Sequence, residues 1–500
     1  MGSGLLEKTI AVLLYAAVLL LLGQLASRRM KDLRDYFAGG KQLGFLSVAF
    51  SARATGESAW LLLGLTGMGA FVGVKAFWVV LGELLGVTLA WFAMAGPFKR
   101  LTDRYDSITI PDYLESRLGD HTRRIRIIAA GALVVFVTIY VSAQIDATGQ
   151  AFEQFLGWNY FTGALVGFAI VLVYITSGGF VAVVWSDVFQ GALMVVGLVV
   201  LPVVGLIHAG GLTAVVSSLH AQDPALLSPT AGAGLTAFSV ASIIGLITLG
   251  FGFLGSPQVF VRFLALRESS EIPRGAAVAI IWTLLADSGA VCTGLIGRTL
   301  LLGQDLGASG QDVLPLMIES LFPPLIVGLY IAIVLSAIMS TIDSLLVVAG
   351  SAAVRDYYQQ IRRPDLEDKA LIRTSRRVTV ALAFISLAIA MSVALLTEER
   401  SIFWFVVFGW SGIAATFCPT IILSLFWPRL TARGAQAAML AGFISVPLFK
   451  FAVVHVAVIG PFIEQFEDLA PAFVVSLLVG VLVSLLDRAD ASIAARDRGS

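Results

Sequence analysis

The residues best suited to chemistry lie together at positions 51–60, which hold Arg53, Glu57, a glycine and three hydroxyl side chains. Apolar sequence flanks this stretch on both sides, over 43–50 and 61–72. Charged side chains at the depth of a lipid bilayer are costly, so they tend to be kept where function needs them. A break of small and polar residues inside a membrane helix also exposes backbone carbonyls to a bound ion. The stretch is therefore the first candidate for the functional site.

Arg53 and Glu57 are four residues apart and can pair on one helix face. One interpretation is a structural ion pair that holds a broken helix in register. The other is that Glu57 carries a coupling ion or a proton while Arg53 tunes its affinity. The structural pair is favoured, because a carboxylate that is already paired is a poorer ion site. Trp60 lies one helical turn past the break, where an aromatic ring often forms the wall of a site for a small organic ligand.

A second group of hydroxyls lies in the ninth predicted span. Ser336, Ser340 and Ser344 are spaced four residues apart and share one helix face, with Thr341 and Asp343 beside them. A single serine of this kind most often bonds a carbonyl of its own helix or joins two helices. So many hydroxyls in nine residues favour a site for a hard monovalent cation such as sodium, which prefers several oxygen ligands. The break at 54–57 could supply the carbonyls.

Three further acidic residues lie within or at the edge of predicted spans. Asp187, at the start of the sixth span, is either a helix cap or part of an ion pathway, and both interpretations stay open. Asp146 and Asp287 have no role that the sequence indicates. The Gly-x-Gly-Asp signature of an intramembrane aspartate protease is absent.

Composition identifies the class of protein. The 500 residues are 58% hydrophobic and only 13% charged, with a mean hydropathy of +0.91, whereas a soluble domain has about a quarter of charged residues. Apolar runs of helix length recur along the chain, so we expect an all-α integral membrane protein with a single transmembrane domain over 1–500. The runs predict about thirteen spans, near 9–26, 44–72, 76–97, 126–152, 161–184, 188–207, 237–261, 275–302, 323–353, 378–396, 402–427, 434–456 and 469–486.

The charge distribution predicts how the chain is oriented. Lys and Arg are concentrated in alternate loops, while 208–236 and 457–467 contain neither. By the positive-inside rule the N-terminus is outside and the C-terminus is cytoplasmic, which needs an odd number of spans. The net charge of zero suggests no nucleic acid and no acidic partner, and no obligatory protein partner is evident. Scattered Cys and His residues disfavour a transition-metal site. Without an ATP-binding loop, uphill work must use an ion gradient.

Two predicted spans are interrupted. The second span, 44–72, breaks at 54–58, and the seventh, 237–261, contains several glycines and then Ser256 and Pro257. Interrupted spans at matching places in two halves of a chain are typical of an inverted-repeat transporter with its site near the middle of the membrane.

These features together resemble the sodium/solute symporter family, and most closely its bacterial sodium/proline symporters. Matching motifs run in the family's order from residue 35 to 344: Asp35-Tyr36-Phe37-Ala38-Gly39-Gly40, Ser58-Ala59-Trp60-Leu61-Leu62, Ile110-Pro111-Asp112-Tyr113, Thr138-Ile139-Tyr140, Gly178-Gly179-Phe180 with Trp185-Ser186-Asp187, Pro257 with Arg262-Phe263, and Met339-Ser340-Thr341.

The resemblance implies a LeuT-type core of five plus five spans. The first inverted repeat would cover 44–207 and the second 237–427, with an extra N-terminal helix at 9–26 and two extra C-terminal helices in 434–486. It also implies alternating access driven by co-transported sodium. The chain would then be a multi-pass transporter, not an enzyme, that imports a small organic solute across a bacterial inner membrane, with proline as the first candidate.

Site residues are carried over position by position from the resemblance. The main sodium site takes carbonyls of Ala54, Glu57 and Ala337 and the hydroxyls of Ser340 and Thr341. A second sodium site or ion pathway takes Asp187, Asp343 and Ser344. The solute would be bound by Thr55, Ser58, Ala59, Trp60, Tyr140, Phe253 and Pro257.

The chain also departs from the proline carriers. They typically have Asp-Met where this chain has Gly56 and Glu57, and one residue along a helix rotates a side chain by about 100°. They have Trp and Tyr where this chain has Leu249 and Phe253, so its pocket is less polar. The alternatives are therefore proton coupling through Glu57 or Asp343, a different amino acid or organic acid as solute, and a sensor that binds its solute without transport.

Overall fold

The computed structural model describes residues 3–28, 33–363, 367–397, 400–487 and 493, and nearly all of them are helical. No described residue lies in a strand, although Leu43 and Leu266 form an isolated parallel bridge. The α-helices are α1 Ser3–Ser27, α2 Leu33–Ala38, α3 Phe45–Ala59, α4 Thr66–Val72, α5 Phe77–Leu89, α6 Ala95–Arg104, α7 Ile110–Leu118, α8 Arg124–Leu156, α9 Tyr160–His208, α10 Leu212–Gln222, α11 Ala237–Thr248, α12 Pro257–Ala265, α13 Ile272–Leu300, α14 Val313–Leu321, α15 Pro324–Ser351, α16 Asp368–Leu396, α17 Ile402–Phe426, α18 Ala432–Phe451, α19 Gly460–Phe466 and α20 Leu469–Leu486.

Shorter helical turns of other types join or extend these helices. The π-helical segments are Trp60–Leu65, Ala90–Met94 and Ala352–Arg362. The 3-10 segments are Gly39–Lys41, Gly73–Ala76, Pro224–Leu227, Leu249–Leu254, Ser269–Glu271, Ala308–Gly310 and Val453–His455.

The helices make the chain a multi-pass membrane protein. Helices lie at all thirteen predicted positions. Among the described residues, eleven runs are long and apolar enough to cross a membrane. One run, Phe45–Arg104, is 60 residues long and turns at Gly73, where φ is 65°. Another, Gly179–His208, follows the shorter apolar helix Tyr160–Val173 across a kink at Gly179. The count of thirteen spans and their orientation stay predictions.

Central helices are enclosed and the helices near the chain ends are not. The apolar parts of the runs that contain α15 and α17 are 83% and 89% buried, whereas those of α1 and α18 are 28% buried. α3 packs against α9, α13 and α15, so it lies inside the bundle. The exposed faces of the outer helices are apolar, as expected for surfaces that face lipid. The proposed division into two repeats stays a prediction.

Both interrupted spans are present, but the first break is shorter than predicted. Residues 54–57 keep helical geometry, and only Ser58 leaves it, with φ 40° and ψ −166°. The second span therefore breaks at the last residue of the predicted stretch. In the seventh span α11 ends at Thr248, the 3-10 segment Leu249–Leu254 follows, and α12 begins at Pro257. Proline suits the first turn of a helix because no backbone N–H is needed there.

Close backbone contact sets the distance between α5 and this 3-10 segment. A Cβ atom on Gly86 would lie 1.9 Å from the carbonyl oxygen of Gly250, so only glycine fits at this position. Glu83 lies about one turn before Gly86 on α5, and its Oε2 is 3.6 Å from Arg53 Nη2 of α3.

Candidate ion and solute site

Two hydroxyls of α15 contact backbone carbonyls of α3. Ser340 Oγ donates to the Ala54 carbonyl at 2.9 Å, and Thr341 Oγ1 donates to the Thr55 carbonyl at 3.1 Å. Both hydroxyls also lie 3.1 Å from the Ala337 carbonyl of their own helix. All of these residues are buried. The structure therefore brings together four of the five predicted main-site sodium ligands and adds the Thr55 carbonyl, which sequence reasoning missed.

The kink at Ser58 explains why these carbonyls are available. In an unbroken helix the Ala59 N–H would bond the Thr55 carbonyl. Here it donates to Gln144 Oε1 at 3.1 Å. The Glu57 carbonyl accepts from the Trp60 amide, so its role as a sodium ligand stays a prediction.

The chemistry of this cluster suits a hard cation. Its donors are neutral hydroxyl and carbonyl oxygens, the ligand type that such ions prefer. Ser336 does not join them, because its hydroxyl donates to the Ala332 carbonyl of its own helix at 2.8 Å. The three serines of the predicted face therefore do not form one site. Ser336 bonds a carbonyl of its own helix, as a single serine in a membrane helix often does.

Asp187 lies at the centre of a second polar network. Its Oδ2 accepts from Ser51 Oγ at 2.6 Å and from Arg262 Nη2 at 3.1 Å, and Thr55 Oγ1 lies 3.4 Å away. Asp187 is inside α9, eight residues beyond the kink at Gly179, so the helix-cap interpretation is wrong. Its carboxylate instead joins α9 to α3 and α12.

Arg262 completes this network, although sequence reasoning gave it no role. Its Nη2 donates to Ser344 Oγ at 2.5 Å, and its Nη1 donates to the Gln258 carbonyl at 2.5 Å. Ser344 Oγ lies 3.3 Å from Asp343 Oδ1 and 2.9 Å from Thr55 Oγ1. The three predicted residues of the second ion site thus belong to one network with an arginine among them, and their sodium role stays a prediction.

The predicted solute residues next to the kink also come together. Ser58 Oγ lies 3.4 Å from the Tyr140 hydroxyl and 3.3 Å from Gln144 Nε2. The Trp60 indole donates to the Gly56 carbonyl at 3.1 Å. Gln144, which also holds the Ala59 amide, is a member of this group that the sequence motifs did not reveal.

Aromatic rings enclose the other side of Trp60. Trp60 meets Phe403 edge to face with ring centroids 6.0 Å apart, and Phe253 lies 5.1 Å from Trp410. A cavity of about 10 Å³ is lined by Trp60, Glu83, Leu249, Val406, Val407 and Trp410. This small space lies between the π-helical segment Trp60–Leu65, α5, the 3-10 segment Leu249–Leu254 and α17, and it is the candidate solute pocket.

Two predicted solute residues lie elsewhere. The Thr55 side chain is in the Asp187 network, and Pro257 lines a different cavity of about 20 Å³ with Phe180 and Val261. Among the described residues no hydrogen bond or ring contact joins either side chain to Trp60, so their contact with a solute stays a prediction. Phe253 packs against Gly56, where a Cβ atom would lie 2.5 Å from its ring.

The predicted pair of Arg53 and Glu57 is confirmed, and it has further partners. Arg53 Nη2 pairs with Glu57, lies 3.6 Å from Glu83 Oε2 and lies 4.0 Å from Asp287 Oδ2. Its guanidinium also lies over the Phe253 ring at 4.6 Å. Glu83 and Asp287 were not predicted to take part in any site.

A third charged cluster joins α7 and α8 to the π-helical segment Ala352–Arg362. Arg126 pairs with Asp112 and Glu115 of α7, and its Nη1 donates to Asp356 at 2.6 Å. By the predicted orientation this cluster lies at the cytoplasmic end of the bundle.

The amino-acid sequence is similar to one family of known proteins throughout most of its length. A family model described as the sodium:solute symporter family matches residues 36–442. The high-affinity proline transporter PutP of Bacillus subtilis (strain 168) is 34% identical over 94% of this chain and 96% of its own length. The osmoregulated proline transporter OpuE of the same organism is 31% identical over 97% and 95%. The sodium/proline symporter of Escherichia coli (strain K12) is 31% identical over 87% and 86%.

Solved structures show the same fold. A Na+-coupled sialic acid symporter in a substrate-bound outward-open state matches with a TM-score of 0.77 at 18% identity, over 96% of this chain and 98% of that chain. MhsT in complex with L-phenylalanine matches with a TM-score of 0.51 at 16% identity, over 88% and 97%. The fold is therefore of the LeuT type.

Proposed function

Because the chain belongs to the sodium:solute symporter family, it is a sodium-coupled transporter and not an enzyme, and we propose that its solute is proline. The names of its relatives support this proposal, since several with 30% identity or more are proline transporters or sodium/proline symporters. We place it in the bacterial inner membrane, without nucleic acid and without an obligatory protein partner.

The observation that carries the mechanism is the contact between α15 and α3. Sodium would replace the two direct hydrogen bonds by binding between Ser340, Thr341 and the carbonyls of Ala54 and Thr55. Those carbonyls lie within one turn of Ser58, whose kink also positions Trp60. An ion that holds α15 against this turn therefore also fixes the backbone beside the solute, which couples the two binding events. Alternating access would then carry both across the membrane.

The test is uptake of radiolabelled proline by the purified protein in liposomes, as a function of the sodium concentration. Removing one neutral hydroxyl ligand costs about 1–1.5 kcal/mol, so we expect Ser340→Ala to need about tenfold more sodium for half-maximal uptake. Ser336→Ala is the matched control, since its hydroxyl donates to the Ala332 carbonyl of its own helix and not to a carbonyl of α3.

Equal sodium dependence in Ser340→Ala and the wild type would contradict the assignment of the sodium site. Uptake driven by a pH gradient without sodium would show proton coupling instead. Competition by a panel of unlabelled amino acids and organic acids tests the solute separately. If the protein takes up no proline, or if another compound competes better than unlabelled proline, the proposal of proline as the solute is wrong.

A further inference from the structure

Three carboxylates and one guanidinium are buried together on the side of α3 that faces α5 and α13. Arg53 and Glu57 are one turn apart on α3, Glu83 is on α5, and Asp287 is on α13. Each side chain is 2% exposed or less. If all four groups are ionised, the cluster carries one positive and three negative charges, so Arg53 alone cannot neutralise it.

Most polar atoms of the cluster also lack hydrogen bonds. Both oxygens of Asp287 and Oε2 of Glu83 are buried without a hydrogen-bond partner, as is the Glu57 oxygen that does not pair with Arg53 Nη2. Nε and Nη1 of Arg53 also lack a partner. A buried carboxylate is normally fully hydrogen-bonded or holds a cation. Asp187 differs in that one of its oxygens, Oδ2, accepts from both Ser51 and Arg262, although its Oδ1 also lacks a partner.

The spacing of the oxygens suits an ion. One oxygen from each of Glu57, Glu83 and Asp287 lies within 4.8 Å of the other two. The centre of such a triangle is at most about 2.8 Å from each corner. This is close to the distance at which a hard cation binds oxygen ligands. Glu83 also lines the cavity of about 10 Å³ beside Trp60 and Trp410, which is about the space of one water molecule. Its unpartnered oxygen is therefore next to the candidate solute pocket.

We propose that Glu83, Asp287 and the oxygen of Glu57 that does not pair with Arg53 bind a further sodium ion, at a site separate from Ser340 and Thr341 and from the Asp187 network. The two sites lie on different sides of α3: backbone carbonyls face α15, and the side chains at positions 53 and 57 face α5 and α13. Arg53 reduces the charge of the cluster so that it holds a monovalent ion. This inference goes beyond the solute proposed above and does not depend on its identity.

The experiment measures binding of radioactive sodium alone to the purified full-length protein in detergent, without solute. We expect Asp287→Asn and Glu83→Gln each to bind about one sodium ion fewer per chain than the wild type. Asp146→Asn is the matched control, because Asp146 is also a buried aspartate of a spanning helix but is already paired with Arg400 and Tyr160.

Folding is checked by gel filtration, and Asp287→Glu, which keeps the carboxylate, should retain more sodium than Asp287→Asn. If both Asp287→Asn and Glu83→Gln fold and bind as much sodium as the wild type, the inference is wrong. That result would not affect the proposal that the solute is proline. Conversely, if these variants bind one sodium ion fewer as expected but the protein takes up no proline, only the proposal of proline as the solute is wrong.

Discussion

Replacing Asp187 by Asn should destabilise the protein strongly, and adding Arg262→Gln to the same chain should recover part of the loss. The two side chains are fully buried, with 3.1 Å between Asp187 Oδ2 and Arg262 Nη2. Removing only the carboxylate leaves a guanidinium inside the bundle without a counter-charge. Removing both charges replaces the ion pair by two neutral amide side chains.

The size of the effect follows from the geometry. Two unit charges 3.1 Å apart attract each other by about 5 kcal/mol at an effective dielectric constant of about 20. Loss of one partner of a buried pair costs about 3–5 kcal/mol. Arg262 keeps its bonds to Ser51, Ser344 and the Gln258 carbonyl, so we expect the lower end of this range for Asp187→Asn.

A double-mutant cycle on unfolding in detergent measures the interaction free energy directly. The control is the pair of Arg433 and Asp487, which has almost the same separation, 3.2 Å, but an arginine that is 77% exposed. Arg433→Gln should change stability by less than about 1 kcal/mol. If Asp187→Asn and Arg262→Gln are simply additive in the double variant, the two charges do not stabilise each other and the reasoning is refuted.

Two other predictions concern parts of the molecule away from that pair. Gly86→Ala should sharply lower the yield of folded protein in gel filtration, because its Cβ would lie 1.9 Å from the Gly250 carbonyl, whereas Gly131→Ala, with no atom within 4 Å, should not. Burial raises the pKa of Glu467, in the connection before α20, from its ordinary 4.5 to about 8. The folded state then keeps a proton that the unfolded chain has lost, so stability falls as the pH rises from about 5 to 8. Glu467→Gln should flatten this decline in thermal unfolding, and an unchanged slope would contradict it.

Parts of the site could be predicted because their signal is local. Ser340 and Thr341 are adjacent, and a dense group of hydroxyls in an apolar helix is unusual enough to indicate a site. Arg53 and Glu57 are one turn apart, so their pairing follows from helix geometry alone. The fold class followed from the length and number of apolar runs.

The rest depends on contacts between distant parts of the chain. Arg262 is 75 residues from Asp187, and no spacing rule joins them. Glu83 is a single acid in an apolar run, and its meaning appears only in the folded bundle, where its Oε2 lies 3.6 Å from Arg53 Nη2 of α3. Ser336 shows the opposite case, since its position in the serine series suggests a ligand and its actual partner is a carbonyl of its own helix.

The charge cluster around Arg126 bears on how this end of the helix bundle opens during transport. One guanidinium pairs with two carboxylates of α7 and with Asp356 after α15, so it is shared by three elements. Separating these elements would break several charge pairs at the same residue, so we expect opening at this end to be a single cooperative event rather than a gradual loosening. A substitution of Arg126 would therefore alter how often this end opens, and so the turnover rate, more than it alters how tightly the solute is held.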